Sequence, residues 1–192
     1  MLSEKYALMI IDMQKDFVLP DAPLCIAGAA ETLPRIGELL EAFRVRRLPV
    51  IHVIRHHRAD GVDVEGIREK YFTEGPGFAV PGTEGAEIVD ELTPLANEYV
   101  LVKRRFSAFM QTELDFILRR LGVDHLVVCG TQWPVCIRTT IFDALALGYG
   151  VTSIVDATSA SSEEVAQANI RDIKAMGVSC LEVNSFIRDC LF

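Results

Sequence analysis

Short apolar runs alternate with helical patterns along most of this chain, and this alternation limits the possible fold more than any other feature. The runs are rich in β-branched residues and too short to be favoured as helices, so we predict strands there. They cover residues 6–11, 49–54, 99–102, 125–129, 151–155 and 178–183. Apolar residues at i, i+3 and i+4 spacing predict helices at about 33–43 and 114–121, and two more are expected at 135–147 and 163–176.

The strands also indicate how the sheet is built. Runs such as ALMII and LVVC are continuously apolar, which is typical of strands covered on both faces in a parallel sheet. Gly122, Gly148 and Gly177 stand just past three predicted helices, where helices commonly end. We therefore predict an α/β fold, with residues 1–192 forming a single domain. It is a three-layer α/β/α sandwich around a six-stranded, mostly parallel sheet.

The net charge and the cysteine content indicate in which compartment the protein is located and which classes of partner it binds. The formal net charge is -8 and the pI is about 5.0, so the chain repels phosphate backbones and anionic lipids. No run approaches the roughly 20 apolar residues that span a bilayer. The five cysteines form no CxxC or zinc-ligand pattern, which favours reduced thiols. We expect a cytoplasmic protein that binds a small molecule, and neither nucleic acid nor membrane.

Three reactive side chains follow predicted strands. Asp12 follows the first strand, Lys103 follows the third, and the fourth leads through GTQWPV to Cys136 at a helix start. Ligands of open parallel sheets bind beyond these carboxyl ends. Each residue alone also has a structural interpretation, as a turn residue, a solvated strand end and a small buried hydrophobe respectively.

The three together are suited to covalent catalysis. A thiol at a helix N-terminus meets the positive end of the helix dipole, which lowers its pKa, and a nearby lysine lowers it further. A carboxylate in partly apolar surroundings, such as Asp12, can take the thiol proton and return it to a leaving amine. The pattern indicates Cys136 as the nucleophile.

The segments IIDMQKDF, VKRRFSAF and GTQWPVC, in this order, resemble the signature segments of the isochorismatase-like superfamily of cysteine hydrolases. The likeness extends from residue 6 to about 183. It implies a catalytic triad of Asp12, Lys103 and Cys136. It also implies a cis peptide bond between Thr131 and Gln132, with the Gln132 and Cys136 amides forming an oxyanion hole.

The same resemblance implies a reaction and a self-associating chain. Cys136 attacks an amide or ureide carbonyl, Asp12 protonates the leaving amine, and water hydrolyses the thioester, while Lys103 orients Asp12 and stabilises the thiolate. RHHRADGVDVE and VKRRFSAF look most like ureidoacrylate and related ureide amidohydrolases. A homo-oligomer is expected, with residues 55–81 and 186–192 as candidate contacts.

Nicotinamidase members of the superfamily hold a metal near the second strand through Asp-x-His and a further histidine. This chain has IRHHRAD there, containing Arg55, His56, His57 and Asp60. Adjacent histidines on an extended segment point to opposite faces, so they are poorly placed to bind one ion together. We predict no catalytic metal and no other cofactor, which disfavours nicotinamidase activity.

Aromatic and polar residues near the motifs are candidates for substrate binding. We predict this role for Gln14, Phe17, Phe106 and Trp133. Trp133 stands where many members have threonine, and packing at the helix start is an equally good interpretation. Phe72 and Phe109 are further candidate pocket walls. Arg104 and Arg105 could bind a substrate carboxylate, although a solvated surface pair is the simpler interpretation.

Two other functional classes compete with the hydrolase. One is a catalytically silent binding or scaffold protein, and the other is a thiol redox sensor that uses Cys136. A dinucleotide-binding site is disfavoured because DMQKDF, rather than GxGxxG, follows the first strand. Residues 55–81 show no clear period, and an irregular insert of this length often forms a functional loop or an interface.

Overall fold

A computed structural model describes residues 5–191 and contains one six-stranded sheet. Its strands are β1 Tyr6–Ile11, β2 Val50–Arg55, β3 Tyr99–Lys103, β4 His125–Trp133, β5 Gly150–Ala160 and β6 Ser179–Leu181. All neighbouring pairs are parallel, in the order β3-β2-β1-β4-β5-β6. The α/β prediction and the six strands are confirmed.

Four longer helices connect the strands and lie close to their predicted positions. They are α2 Leu33–Val45, α4 Leu114–Leu121, α5 Cys136–Ala146 and α6 Glu163–Ala175. Short helices are α1 Lys15–Val18, α3 Lys70–Thr73 and α7 Val183–Phe186, and a π-helical turn covers Ile187–Leu191. Gly122 ends α4 with a φ of 69°, in the left-handed region that glycine adopts without strain.

The sheet separates two large hydrophobic cores. On one face the sheet packs against buried residues of α4, α5 and α6, including Leu118, Ile141 and Ile173. On the other face it packs against α2 and the C-terminal turns, including Phe43 and Phe186. Because the strands are covered on both sides, their apolar runs are continuous rather than alternating. This is the predicted three-layer arrangement.

Residues 55–81 form an ordered insert, with a 3₁₀ turn at Gly66–Arg68 before α3. It packs on the segment after β1 through a third cluster, which we call the loop cluster. Its members are Phe17, Leu24, Ile26, Val64, Tyr71, Phe72, Phe78 and Ala79. The insert therefore covers the carboxyl end of the sheet.

Two residues of the predicted C-terminal contact are not open to a partner. Phe186 and Leu191 are buried, because both pack into the core beside α2. Residue 192 of that segment lies outside the described residues, and a contact through the rest of it stays a prediction. Exposed apolar side chains of the insert include Val62 and Ile67, so self-association through the insert stays a prediction. Within residues 5–191 no helix combines the length and the apolar character that crossing a bilayer requires.

Candidate active site

The strand order reverses between β1 and β4, and the predicted triad lies at that point. The chain adds β2 and β3 on one side of β1, and then β4, β5 and β6 on the other. The carboxyl ends of two strands that diverge in this way leave a crevice for a ligand. Asp12 follows β1, and Cys136 begins α5 just after β4. Lys103 reaches the same place from the end of β3.

The structure brings the three side chains together. The Nζ of Lys103 donates to Oδ2 of Asp12 at 2.7 Å and lies 3.5 Å from Sγ of Cys136. All three residues are buried, with Lys103 fully so. Oδ1 of Asp12 is buried and has no hydrogen-bond donor among the described residues. One carboxylate oxygen is thus held by the lysine, and the other is available to accept a proton.

Arg55 is a fourth member of this site that we did not predict. It is fully buried at the end of β2, and its Nη2 lies 3.4 Å from Sγ of Cys136. Its Nη1 donates to Oε1 of Glu65 at 2.8 Å, and its Nε lies 4.0 Å from the Asp12 carboxylate. The rule that identified Asp12 and Lys103 also applied to Arg55, because it ends a strand beside β1.

The charges around Cys136 shift the pKa of its thiol in opposite directions. Burial raises the pKa of Cys136, and the Asp12 carboxylate raises it further. The cations of Lys103 and Arg55 lower it without reversing the increase. The expectation of a lowered pKa is therefore wrong for the free site, because burial destabilises the thiolate more than the two cations stabilise it. The thiol is the resting form.

The backbone beside the thiol has an unusual conformation. The Thr131–Gln132 and Trp133–Pro134 peptide bonds are both cis. Gly130, with a φ of 108°, lies so close to β1 that a Cβ atom there would collide with the backbone of Ile11. In the first turn of α5, as in any helix, the leading N–H groups have no partner within the helix. Cys136 is the first residue of that turn.

These groups line a small cavity. Its walls combine the reactive residues with apolar side chains from the segment after β1 and one arginine of the insert. The lining residues are Asp12, Phe17, Leu24, Ile26, Arg55, Arg68, Thr131, Gln132 and Cys136. Phe17, which we predicted as a substrate-binding residue, therefore lines the cavity. Leu24, Ile26 and Arg68 were missed, since only the folded insert and loop cluster bring them to the thiol.

Other candidates lie outside the cavity wall. The Gln14 side chain is buried and holds the backbone of Arg55, accepting from its N–H at 2.6 Å and donating to its carbonyl at 2.9 Å. Trp133 is fully buried in the core against α5, because β4 continues past Cys129 and carries Trp133 as a strand residue. The structure does not bring either side chain to the substrate cavity.

The remaining aromatic and arginine candidates contact other parts of the protein. Phe106 packs against the guanidinium of Arg55. The central carbon of that guanidinium lies 5.3 Å from the ring centre of Phe106. Phe109 stacks on Tyr149, whereas Phe72 belongs to the loop cluster. Arg104 donates a hydrogen bond to the side chain of Asp63, and Arg105 donates one to the backbone carbonyl of the same residue.

The residues at the end of β2 do not suit a metal ion. The Arg55 guanidinium lies 3.5 Å from Nε2 of His57, and a fixed cation at that distance opposes metal binding. Burial and then the Arg55 charge lower the pKa of His57 to about 4. Asp63 lies 3.4 Å from Nδ1 of the same ring. No cluster of three or more His, Cys, Asp or Glu suited to a metal occurs among residues 5–191.

Comparison with known proteins assigns the family. The isochorismatase domain matches residues 6–185. A protein named probable inactive nicotinamidase, from Arabidopsis thaliana, is 45% identical over 177 residues, or 90% of this chain and 89% of the relative. A ureidoacrylate amidohydrolase from Azorhizobium caulinodans is 31% identical and aligns over 85% of this chain and 80% of its own.

Solved structures agree with this assignment. An isochorismatase family protein from Desulfovibrio vulgaris superposes with a TM-score of 0.93 at 54% identity, covering 96% of this chain and 97% of the other. The sequence similarity, the domain match and the shared architecture all extend over nearly the whole chain. The chain therefore belongs to the isochorismatase family.

Proposed function

We propose that this protein is a cysteine hydrolase that cleaves a C–N bond of a small amide or ureide. One observation carries the proposal. Cys136 and Asp12 line the same small cavity, and Nζ of Lys103 lies 2.7 Å from Oδ2 of Asp12 and 3.5 Å from Sγ of Cys136. A nucleophile, a proton carrier and a group that orients the carrier are the parts that covalent amide hydrolysis requires.

The first half-reaction forms a thioester. Asp12 takes the thiol proton as Sγ of Cys136 bonds to the substrate carbonyl carbon, since a thiol whose pKa is raised by burial needs a base at the moment of attack. The N–H groups of Gln132 and Cys136 stabilise the oxyanion. Asp12 then gives the proton to the leaving nitrogen as the C–N bond breaks, and ammonia or an amine departs.

The second half-reaction releases the acid and restores the thiol. Asp12 takes a proton from water as the water oxygen attacks the thioester carbon. The C–S bond breaks, and the proton passes from Asp12 to the Cys136 sulfur. Lys103 holds Asp12 at 2.7 Å throughout. Arg55 stabilises the sulfur anion in both steps from 3.4 Å.

Three features support a small amide or ureide as substrate. The cavity is small and is lined by only a few side chains around Cys136, which suits a small molecule rather than a peptide chain. Its apolar wall of Phe17, Leu24 and Ile26 can cover the non-reacting part of such a molecule. The relative from Azorhizobium caulinodans is named for hydrolysis of a ureide. Because Arg55 opposes a metal ion, nicotinamide is expected to be a poor substrate.

The test is release of ammonia or amine from a panel of small amides, ureides, carbamoyl amino acids and nicotinamide. We expect turnover of at least one ureide or amide, with a loss of roughly a thousandfold or more in Cys136→Ala. Cys25→Ala removes an exposed thiol instead and serves as the matched control. Full turnover by Cys136→Ala would refute the nucleophile.

A catalytically silent binding protein is the second candidate, and the name of the Arabidopsis relative favours it. The two candidates differ in thiol chemistry. Iodoacetamide labelling at Cys136 should be faster than at buried Cys129, whose pKa is strongly raised by burial. Labelling that is equally slow at both thiols, with no turnover on the panel, supports the silent protein. Cys136 carries a thiol that forms no disulfide with the described residues, and a redox sensor would have to pair it with another cysteine.

A further inference from the structure

We infer that the substrate of this site carries a carboxylate, and that the guanidinium of Arg68 binds it. This inference deepens the proposed function and rests on it for the reacting end of the substrate. It starts from the placement of Arg68 on the wall of the same cavity as Cys136.

The charges at the cavity do not balance. Arg55, Arg68 and Asp12 line the cavity, and Lys103 and Glu65, which do not line it, are the ion-pair partners of Asp12 and Arg55. With Cys136 in its neutral thiol form, these three cations face two carboxylates, and one positive charge is left over. An uncompensated charge is costly among buried groups. A substrate with one negative charge removes that cost on binding.

Arg68 is the cation without a full partner. Lys103 is paired with Asp12 at 2.7 Å, and Arg55 with Oε1 of Glu65 at 2.8 Å. Arg68 reaches only the second oxygen of Glu65, at 3.9 Å, which is too long for a hydrogen bond. That oxygen is buried and has no hydrogen-bond partner among the described residues. No hydrogen bond joins the Arg68 guanidinium to any described side chain or carbonyl.

The guanidinium is nevertheless held in position. Its central carbon lies 5.0 Å from the ring centre of Phe106 and 5.8 Å from that of Phe78, within the range of cation–π contacts. Its side chain is 15% exposed. These rings supply no hydrogen-bond acceptors, so the N–H groups stay available for a ligand. A planar guanidinium of this kind matches the two oxygens of a carboxylate.

The geometry also explains why Arg104 and Arg105 are not the carboxylate-binding pair. Arg104 is mostly exposed and pairs with the Asp63 side chain. Arg105 donates to the carbonyl oxygens of Asp63 and Arg104. Neither lines the cavity. One surplus positive charge beside a planar guanidinium favours a small monocarboxylate, such as an N-carbamoyl amino acid, over a dianionic phosphate ester.

The experiment measures binding separately from turnover. The probes are N-carbamoylglycine and N-carbamoyl-β-alanine, each beside its neutral methyl ester, titrated calorimetrically into Cys136→Ala protein. We expect at least one acid to bind ten- to a hundredfold tighter than its ester. Adding Arg68→Met should remove that preference, and Arg68→Lys should keep part of it. Arg58→Met, which changes an arginine outside the cavity wall, is the control.

Three results would overturn the inference. They are equal affinity of acids and esters, no binding by any of the four probes, and an unchanged preference in the Arg68→Met protein. Failure of the proposed function has a different signature. In that case the acids bind Cys136→Ala through Arg68, while the wild-type protein releases no ammonia from them.

Discussion

The sulfur of Cys136 has two cations near it, and they come from different strands. Lys103 is also the partner of Asp12, so replacing it changes two interactions at once. Arg55 can be replaced without loss of the Asp12–Lys103 pair, and its replacement removes a cation 3.4 Å from the sulfur together with the partner of Glu65. Arg55 itself stays protonated. Burial acts to lower the pKa of Arg55, but the Cys136 sulfur in its ionised form and the carboxylates of Asp12 and Glu65 outweigh it.

Arg55→Met should therefore raise the pKa of Cys136. A favourable charge at this distance lowers a pKa by about one to three pH units, and its removal should cost a similar amount. We expect the pH profile of iodoacetamide labelling at Cys136 to move upward by at least one pH unit. Arg105→Met is the control, since that side chain donates only to backbone carbonyls. An unmoved profile in a folded Arg55→Met protein would contradict this role.

Asp12→Asn should change thiol reactivity and turnover in opposite directions. The Asp12 carboxylate raises the pKa of Cys136, so its neutral isostere should lower that pKa and speed labelling near neutral pH. Turnover needs a group that carries a proton, and loss of such a group costs about a hundred- to ten-thousandfold. Labelling rate and kcat, measured on one preparation, check both. Slower labelling together with lost turnover would mean that Asp12 acts on the fold of the site instead.

At the scale of the elements, Glu98 joins α2 to β2, the strand next to the edge strand β3. Its carboxylate accepts from Arg44 of α2 at 2.6 Å and lies 2.9 Å from the ring of His52 on β2. Burial acts to raise the pKa of Glu98, but hydrogen bonds from Arg44, the Leu95 amide and His52 lower it to about 2. Because the folded pKa lies below the unfolded value, the stabilisation is complete above about pH 4.5 and is lost towards pH 2.

Glu98→Gln should lower the free energy of unfolding by about 2 kcal/mol near pH 6, since hydrogen bonds to charged groups contribute about that much. The difference from wild type should shrink at pH 3, because Glu98 is then protonated in the unfolded wild-type chain while it stays largely ionised in the folded protein. Urea titrations at both pH values measure this. Glu41→Gln removes an exposed partner of the same arginine and should cost less than about 0.5 kcal/mol. An equal Glu98→Gln effect at both pH values would refute the linkage.

For the whole molecule, local patterns predicted most of the fold. The strands and helices could be predicted because each apolar run buries a full strand or one helix face, and burial decides both patterns. The positions where β4 and β5 end could not be predicted in this way. GTQW looks like a turn, yet it continues β4 through shifts in register against β5. Such an extension depends on the neighbouring strand and leaves no local period.

The site was predictable where strand ends met at one edge of the sheet, as for Asp12, Lys103 and Cys136. Arg68 was not, since only the folding of the insert brings it to the cavity. The direction of the thiol pKa also depended on the fold. A helix N-terminus argues for a lowered pKa, but the depth of burial, which sequence does not give, reverses the outcome for Cys136.

The molecule has two large cores and one small cluster, and these should differ in stability. The loop cluster has three buried members, Phe17, Phe78 and Ala79, whereas each face of the sheet has a far larger buried set. Opening of the insert exposes little apolar surface, and regions of this kind open at lower free energy than the core. The cavity wall at Arg68 belongs to this least stable part of the fold.

Phe78→Ala should therefore loosen the insert without loosening the sheet. Phe78 is almost completely buried and contacts the rings of Phe17 and His57, and truncating such a phenylalanine costs about 3 kcal/mol or more. We expect amide hydrogen exchange in residues 64–77 to accelerate at least tenfold, while β1 and β4 amides keep their wild-type rates. Phe116→Ala, at an exposed position on α4, should change neither. If all protected amides accelerated together, the insert and the sheet would unfold as one unit, and the loop cluster would have no separate stability.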